Sequence, residues 1–177
     1  KGVDPAPEDP SNIASKILHE RGDLDQGFGE ADSVVEREFT TKPVHQGYIE
    51  PHAAVADANS DGRANLWCSS QGHFQMRAYT ATVLGVSPGD IKVTAAEIGG
   101  GFGGKTVIYL EPLAVRLSQR AGRPVKLVMD RDEVFRATGP TSGTRIKVKM
   151  GATKDGKMTA AEVWMAYEAG AYAGSPV

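Results

Sequence analysis

The run Gly99-Gly100-Gly101-Phe102-Gly103-Gly104-Lys105-Thr106 gathers five glycines around one aromatic side chain, between a β-rich stretch, Ile91 to Ile98, and a helix-like stretch beginning near Lys105. Few backbones accommodate such a run. Lacking Cβ, glycine reaches positive φ without steric penalty and brings main-chain N–H groups close to a bound anion, at an entropic cost in folding. A loop set just before a helix would also sit at the positive end of its dipole. As a pattern the run is permissive. Gly99 with Gly104, Lys105 and Thr106 satisfies GxxxxGK[ST], the P-loop signature, and Gly99, Gly101 and Gly104 satisfy the dinucleotide fingerprint GxGxxG. A tight strand-to-helix turn with no ligand satisfies it too, so the surrounding sequence has to decide.

Composition removes several classes. The 177 residues suffice for one domain with a core, or for a piece of something larger, and the 40% hydrophobic and 24% charged fractions are those of an ordinary globular protein. A formal charge of −2 gives no long-range attraction to nucleic acid or to anionic lipid, and neither partner is expected. No apolar run is long enough to span a bilayer, and Lys1-Gly2-Val3-Asp4-Pro5 lacks the apolar core of a signal peptide, so a cytoplasmic location is expected. The single Cys68 excludes internal disulfides. With no Cys-x-x-Cys pair, and with His19, His45, His52 and His73 at no ligand spacing, a protein-only zinc or iron–sulfur site is not expected. A metal would have to be held by something else.

Residues 1–30, rich in Pro, Asp, Gly and Glu, read as a linker followed by irregular structure, and residues 31–177 as the domain. Strands are expected at Ser33 to Thr41, His52 to Ala58 and Ala64 to Ser69, the last two joined by the turn Asn59-Ser60-Asp61-Gly62. Gly72 to Leu84 carries Phe74, Ala78, Ala81, Val83 and Leu84 at helical spacing, with Gly85 as a left-handed stop. A second helix, with Val107, Leu110, Leu113, Ala114 and Leu117 on one face, must be kinked or divided by Pro112. Pro124 to Asp130 reads as a strand, and Asp130 to Arg136 as a capped, solvated helix start. Ile146 to Thr153 and Met158 to Tyr167 form a hairpin about Lys154-Asp155-Gly156-Lys157. The fold class is α+β, a layered domain with a mixed, largely antiparallel sheet, β-hairpins and two main helices. The abrupt close at Gly174-Ser175-Pro176-Val177 suggests a piece cut from a longer polypeptide.

A P-loop enzyme would place Lys105 on phosphates and Thr106 on magnesium, with Asp130 as the distant acid. Against it stands the amphipathic stretch Ile91 to Ile98, with Lys92, Thr94 and Glu97, where a buried parallel strand would be apolar. The dinucleotide reading needs an acid closing the next strand, and Asp130 and Asp132 come late. Glu50 and Glu97 lie on strand-like segments and read as structural, and Lys105 and Lys126 as exposed lysines.

A wider set of motifs appears in order: Gly22-Asp23-Leu24, Glu30-Ala31-Asp32, Gln46-Gly47-Tyr48-Ile49-Glu50, Ser69-Ser70-Gln71, Leu84-Gly85-Val86, the glycine run, Arg123-Pro124-Val125, Asp130-Arg131-Asp132-Glu133 and Lys154-Asp155-Gly156-Lys157. From about Gly22 to Tyr172 the chain resembles the molybdenum-binding subunit of the xanthine dehydrogenase, aldehyde oxidase and carbon monoxide dehydrogenase family. The resemblance implies part of the first molybdenum-cofactor-binding domain of a hydroxylase acting on an aldehyde, an aromatic heterocycle or a similar small substrate. The metal would be carried by molybdopterin, in keeping with the lone Cys68. Iron–sulfur clusters, and in some members FAD, would lie on partner subunits or domains, beside the remaining molybdenum domain of the same chain. Residue by residue, Gln71 corresponds to the glutamine whose amide meets an oxygen ligand of molybdenum, and Gly101, Phe102 and Gly103 to the loop lying against that ligand. The residue after Lys105 is a glutamate in the xanthine dehydrogenases and is Thr106 here, a substrate-contact candidate better suited to carbonyl substrates than to purines. No catalytic residue is assigned, because the family's base lies beyond this stretch; residues 1–177 alone are expected to be inactive. A small P-loop enzyme using Lys105, Thr106 and Asp130, or a scaffold that has lost its cofactor, remains as the alternative.

Overall fold

A computed structural model describes residues 12–170; Tyr172 and both chain ends lie outside them. The chain divides into two compact units, Lys1–Pro43 with Ser142–Val177, and Val44–Thr141.

In the first unit, β1 (Ser33–Thr41), β6 (Thr144–Ala152) and β7 (Met158–Tyr167) form an antiparallel sheet in the order β1-β6-β7. The register sets Val35, Met150 and Ala161 in one row and Phe39, Ile146 and Met165 in another, giving one apolar face, while Glu36, Lys149 and Glu162 lie on the other. The β6–β7 turn closes as its composition requires, with Gly156 at φ 85°. Within the segment expected to be irregular, Leu24–Gly29 forms a short helix, α1, capped by the Asp23 side chain on the Gln26 N–H.

The second unit carries a four-stranded sheet, β4-β3-β2-β5, built from β2 (Ala53–Ala58), β3 (Ala64–Cys68), β4 (Ile91–Thr94) and β5 (Val125–Val128). The β2–β3 hairpin and the β2–β5 pair are antiparallel, and β3–β4 is parallel, reached through helix α2 (His73–Leu84). An α+β architecture with mixed, mainly antiparallel pairing is what the element order requires. Ala54, Ala56 and Ala58 alternate inward opposite Cys68, Leu66 and Ala64, and small side chains let α3 (Glu111–Ala121) approach β2 closely. Ser118 of α3 accepts the Ala58 N–H at 2.9 Å and donates to the Arg123 carbonyl. Burial, and secondarily the charge of Glu111, pushes the Cys68 thiol up to about 12, so it is an inert core group.

Three expectations are corrected here. Strand β4 stops at Thr94, because its partner β3 ends at Cys68 and the stretch to Ile98 has no ladder to join. In α2 the inward positions are Met76, Thr80 and Ala81, while Phe74 (86% exposed) and Val83 face solvent; those two share the helical spacing but stand in the first and last turns, outside the buried middle of the helix. The second helix begins at Glu111, far from Lys105, with Pro112 in its first turn, where the missing N–H has no intrahelical partner to lose. Residues 105–110 are turns, so no helix dipole opens directly behind the glycine loop.

Candidate functional site

The glycine loop is half-buried: Gly101, Gly104 and Lys105 face inward and Phe102 and Gly103 face solvent. Gly100 and Gly103 take φ of 93° and 89°, and Phe102 takes φ of 50°, left-handed values that cost a side-chain-bearing residue about 1 kcal/mol or more. A Gly104 N–H to Gly101 carbonyl bond of 2.8 Å tightens the turn. Phe102 is 70% exposed, so it is no hydrophobic plug. Thr106 donates its hydroxyl to the Gly103 carbonyl at 2.8 Å, which makes it a neutral brace on the loop's exit.

Gln71 reaches this loop from the far side of the hairpin. At the end of β3, Ser69 accepts the Ala53 N–H and Ser70 accepts the Gly72 N–H, each at 3.0 Å, and these two turns aim Gln71 before α2 starts. Its main-chain N–H donates to the Lys105 carbonyl at 3.0 Å. Its side-chain Oε1 accepts the N–H of Gly103 at 2.9 Å and that of Lys105 at 3.3 Å. Committing the oxygen to the loop leaves the two Nε2 donors without a hydrogen-bond partner among the described residues, on an exposed side chain. A Cβ on Gly101 would fall 2.4 Å from Gln71 Oε1, so glycine at that place is what lets the amide lie against the loop. Gln71, Gly101, Phe102, Gly103 and Thr106, separated in sequence, thus occupy one place.

Beneath them lie Lys105 and Glu50, expected to be an exposed lysine and a structural carboxylate, with Tyr48, His52 and Arg131 around them. Lys105 is instead 1% exposed and pairs with Glu50 Oε2 at 2.7 Å, its Nζ over the Tyr48 ring, 5.0 Å from the centroid. Tyr48 is buried and its hydroxyl meets His52 Nε2 at 2.8 Å. The Arg131 guanidinium donates to the carbonyls of Tyr48 and Ile49. Arg131 stands in helix α4 (Arg131–Ala137), whose N-cap Asp130 exchanges bonds with Glu133 in a capping box. Tyr48, Glu50 and Arg131 fall within the motifs Gln46-Gly47-Tyr48-Ile49-Glu50 and Asp130-Arg131-Asp132-Glu133, but nothing local in those motifs pairs them with Lys105.

This geometry removes the P-loop alternative. Its lysine is sealed in an ion pair, its acid caps a helix, and no helix begins at the loop. His52 is 3% exposed, and burial, helped by the neighbouring Lys105 and His45 charges, pulls it down from 6.5 to about 4. Glu50 stays below the usual carboxylate range: burial pushes it up, but the bonds from Lys105 and Gly99 outweigh that. A depressed histidine binds fewer protons folded than unfolded, so stability falls as pH drops from 6.5 toward 4. The expected loss is on the order of 3 kcal/mol, and His52→Gln should flatten it; urea unfolding at several pH values measures both.

Residues 6–177 match the family described as "Molybdopterin cofactor-binding domain", and the chain belongs to that family. It is 37% identical over 151 residues to the xanthine dehydrogenase/oxidase of Mus musculus, covering 84% of this chain and 11% of that protein. It is 32% identical over 169 residues to the nicotinate dehydrogenase large molybdopterin subunit of Eubacterium barkeri, covering 96% of this chain and 40% of that one. Among solved structures, the aldehyde oxidoreductase of Desulfovibrio gigas superposes with a TM-score of 0.65 at 29% identity, over 82% of this chain and 16% of that one. The chain therefore spans 40% or less of the length of each. Among the described residues no helix is long and apolar enough to cross a membrane.

Proposed function

We propose that residues 31–177 are part of the first molybdenum-cofactor-binding domain of a molybdenum hydroxylase, in which Gln71, Gly101, Phe102 and Gly103 form the protein's face toward molybdopterin. The observation that carries this is the divided amide of Gln71: its oxygen is fixed on the Gly103 N–H, and its nitrogen stays free to donate. A donor of this kind orients a metal's ligand without replacing it. The residues fit such a group, since the Gly101 position has no room for a Cβ and the loop stands exposed around Phe102. When bound, the molybdenum cofactor would supply two-electron redox chemistry at the metal, which its pterin holds through sulfur ligands of its own. The chain's part is to hold and orient it.

Thr106 offers no charge, its hydroxyl being spent on the Gly103 carbonyl. That favours an aldehyde, an aromatic heterocycle or a similar small neutral substrate over one requiring a carboxylate partner. The base, the remaining molybdenum domain, and the iron–sulfur and flavin partners lie outside these residues in this reading, and the whole enzyme is cytoplasmic. The test is to purify the full-length polypeptide with its partner subunits from a host that makes the cofactor. Near-stoichiometric molybdenum and pterin are expected, together with no aldehyde or purine oxidation by residues 1–177 alone. A folded preparation lacking both molybdenum and pterin would sink the reading.

A further inference from the structure

Glu50 and Lys105 have no role in the reading above, yet one carboxylate oxygen touches both ends of the glycine loop. Glu50 Oε2 accepts the Gly99 N–H at 2.8 Å and the Lys105 ammonium at 2.7 Å, and the Glu50 N–H donates to the Gly99 carbonyl at 3.3 Å. Gly99 opens the loop and Lys105 follows its last glycine. Lys105 then gives its own backbone to Gln71, through its carbonyl and its N–H. A continuous line of contacts runs from Glu50 through Lys105 to the amide that faces outward.

The loop needs such a clamp. Glycines at three of the four positions between Gly99 and Gly104 give it many backbone conformations to lose, and Phe102 is held at a left-handed φ of 50° that persists only where the surroundings over-determine it. The clamp is itself anchored: Arg131 fixes the carbonyls of Tyr48 and Ile49 just before Glu50, and the Tyr48 ring lies under the Lys105 cation. The Lys105 side chain is 0% exposed and that of Glu50 34%, so the pair reaches from the interior to the loop's base. Glu50 is the acid paired with Lys105 among the described residues.

We propose that the Glu50–Lys105 ion pair is a positioning device, closing the glycine loop in one conformation so that Gln71 keeps its oxygen on the loop and its nitrogen free for the cofactor. This rests on the cofactor reading above. Glu50 acts through Lys105 and Gln71 and touches no reacting atom.

The experiment compares E50Q, K105M and the double variant E50Q/K105M with wild type in the full-length protein from a cofactor-making host. Molybdenum per polypeptide, thermal melting and hydrogen exchange of the segment 99–106 are read on each. E50Q strands a buried cation and should melt early and lose about tenfold in molybdenum content. The double variant removes that stranded charge, so its melting should recover; the amide oxygen at position 50 can still accept the Gly99 N–H, but the bond joining that end of the loop to Lys105 stays cut. Its loop amides should exchange about tenfold faster than wild type, with β2 and β3 unchanged, and its molybdenum should stay about tenfold low. Wild-type exchange and molybdenum in the double variant would overturn the proposal and assign the pair to stability alone. Wild-type protein without molybdenum would instead sink the cofactor reading, a result separate from the loop exchange.

Discussion

Gly104→Ala is expected to destabilise the protein by about 3 kcal/mol, well above the cost of Gly103→Ala beside it. Its Cβ would lie 2.6 Å from Tyr48 Cε1 and 3.0 Å from the Gln46 side-chain amide. Tyr48 cannot yield, because it is 1% exposed, its hydroxyl is bonded to His52, and its ring packs between His45 and His52. Gly103→Ala is the informative comparison. Gly103 has a φ of 89° but open space around its Cβ position, so its cost is the left-handed backbone alone, about 1 kcal/mol. Urea unfolding of the purified variants orders the two. If Gly103→Ala proves the more damaging, backbone conformation, and not the Tyr48 ring, is what requires glycine at the loop's end.

Gly101→Ala should do the opposite, sparing stability and removing function. Its Cβ would meet Gln71 Oε1 at 2.4 Å and Cδ at 2.7 Å, and Gln71 is an exposed side chain that can swing away. Swinging away leaves the Gly103 N–H without its acceptor and takes the Nε2 donors off the loop. Melting should stay within about 2 °C of wild type, while molybdenum retained through gel filtration falls about 10–100-fold, the range seen when groups that orient metal ligands are lost. Gln71→Ala should give the same loss, and the double variant no more than either alone, because both changes remove one contact. Unchanged molybdenum in Gly101→Ala would remove Gln71 from any part in holding the cofactor.

Gly101 and Gly104 stand three residues apart in one run, yet nothing in the sequence ranks them. Both sit in a run whose spacing suits three unrelated motifs. What separates them is the neighbour each one faces, an immovable ring or a mobile amide, and each neighbour comes from a distant stretch of chain.

Local signals carried far. The hairpin turns at Asn59–Gly62 and Lys154–Lys157, the left-handed stop at Gly85 and the Asp130 capping box lie where composition sets them, because each depends on residues only a few positions apart. The wider resemblance located the family and brought Gln71 and the glycine loop together before any coordinates. Helix boundaries were less legible where tertiary neighbours govern them: α3 waits until Glu111 for a place where Pro112 is tolerated, and β4 ends when β3 does.

The sequence alone determined the family, through its ordered motifs, and most of the elements and the glycines of the loop, since these last rest on steric and hydrogen-bonding preferences acting within a turn or two. Only the tertiary structure decided that Lys105 is buried against Glu50, that Gln71 spends its oxygen on Gly103, and that Arg131 fixes the carbonyls before Glu50. These contacts join residues 32 to 83 positions apart. Their pairing is set by sheet order and packing, which no local preference encodes.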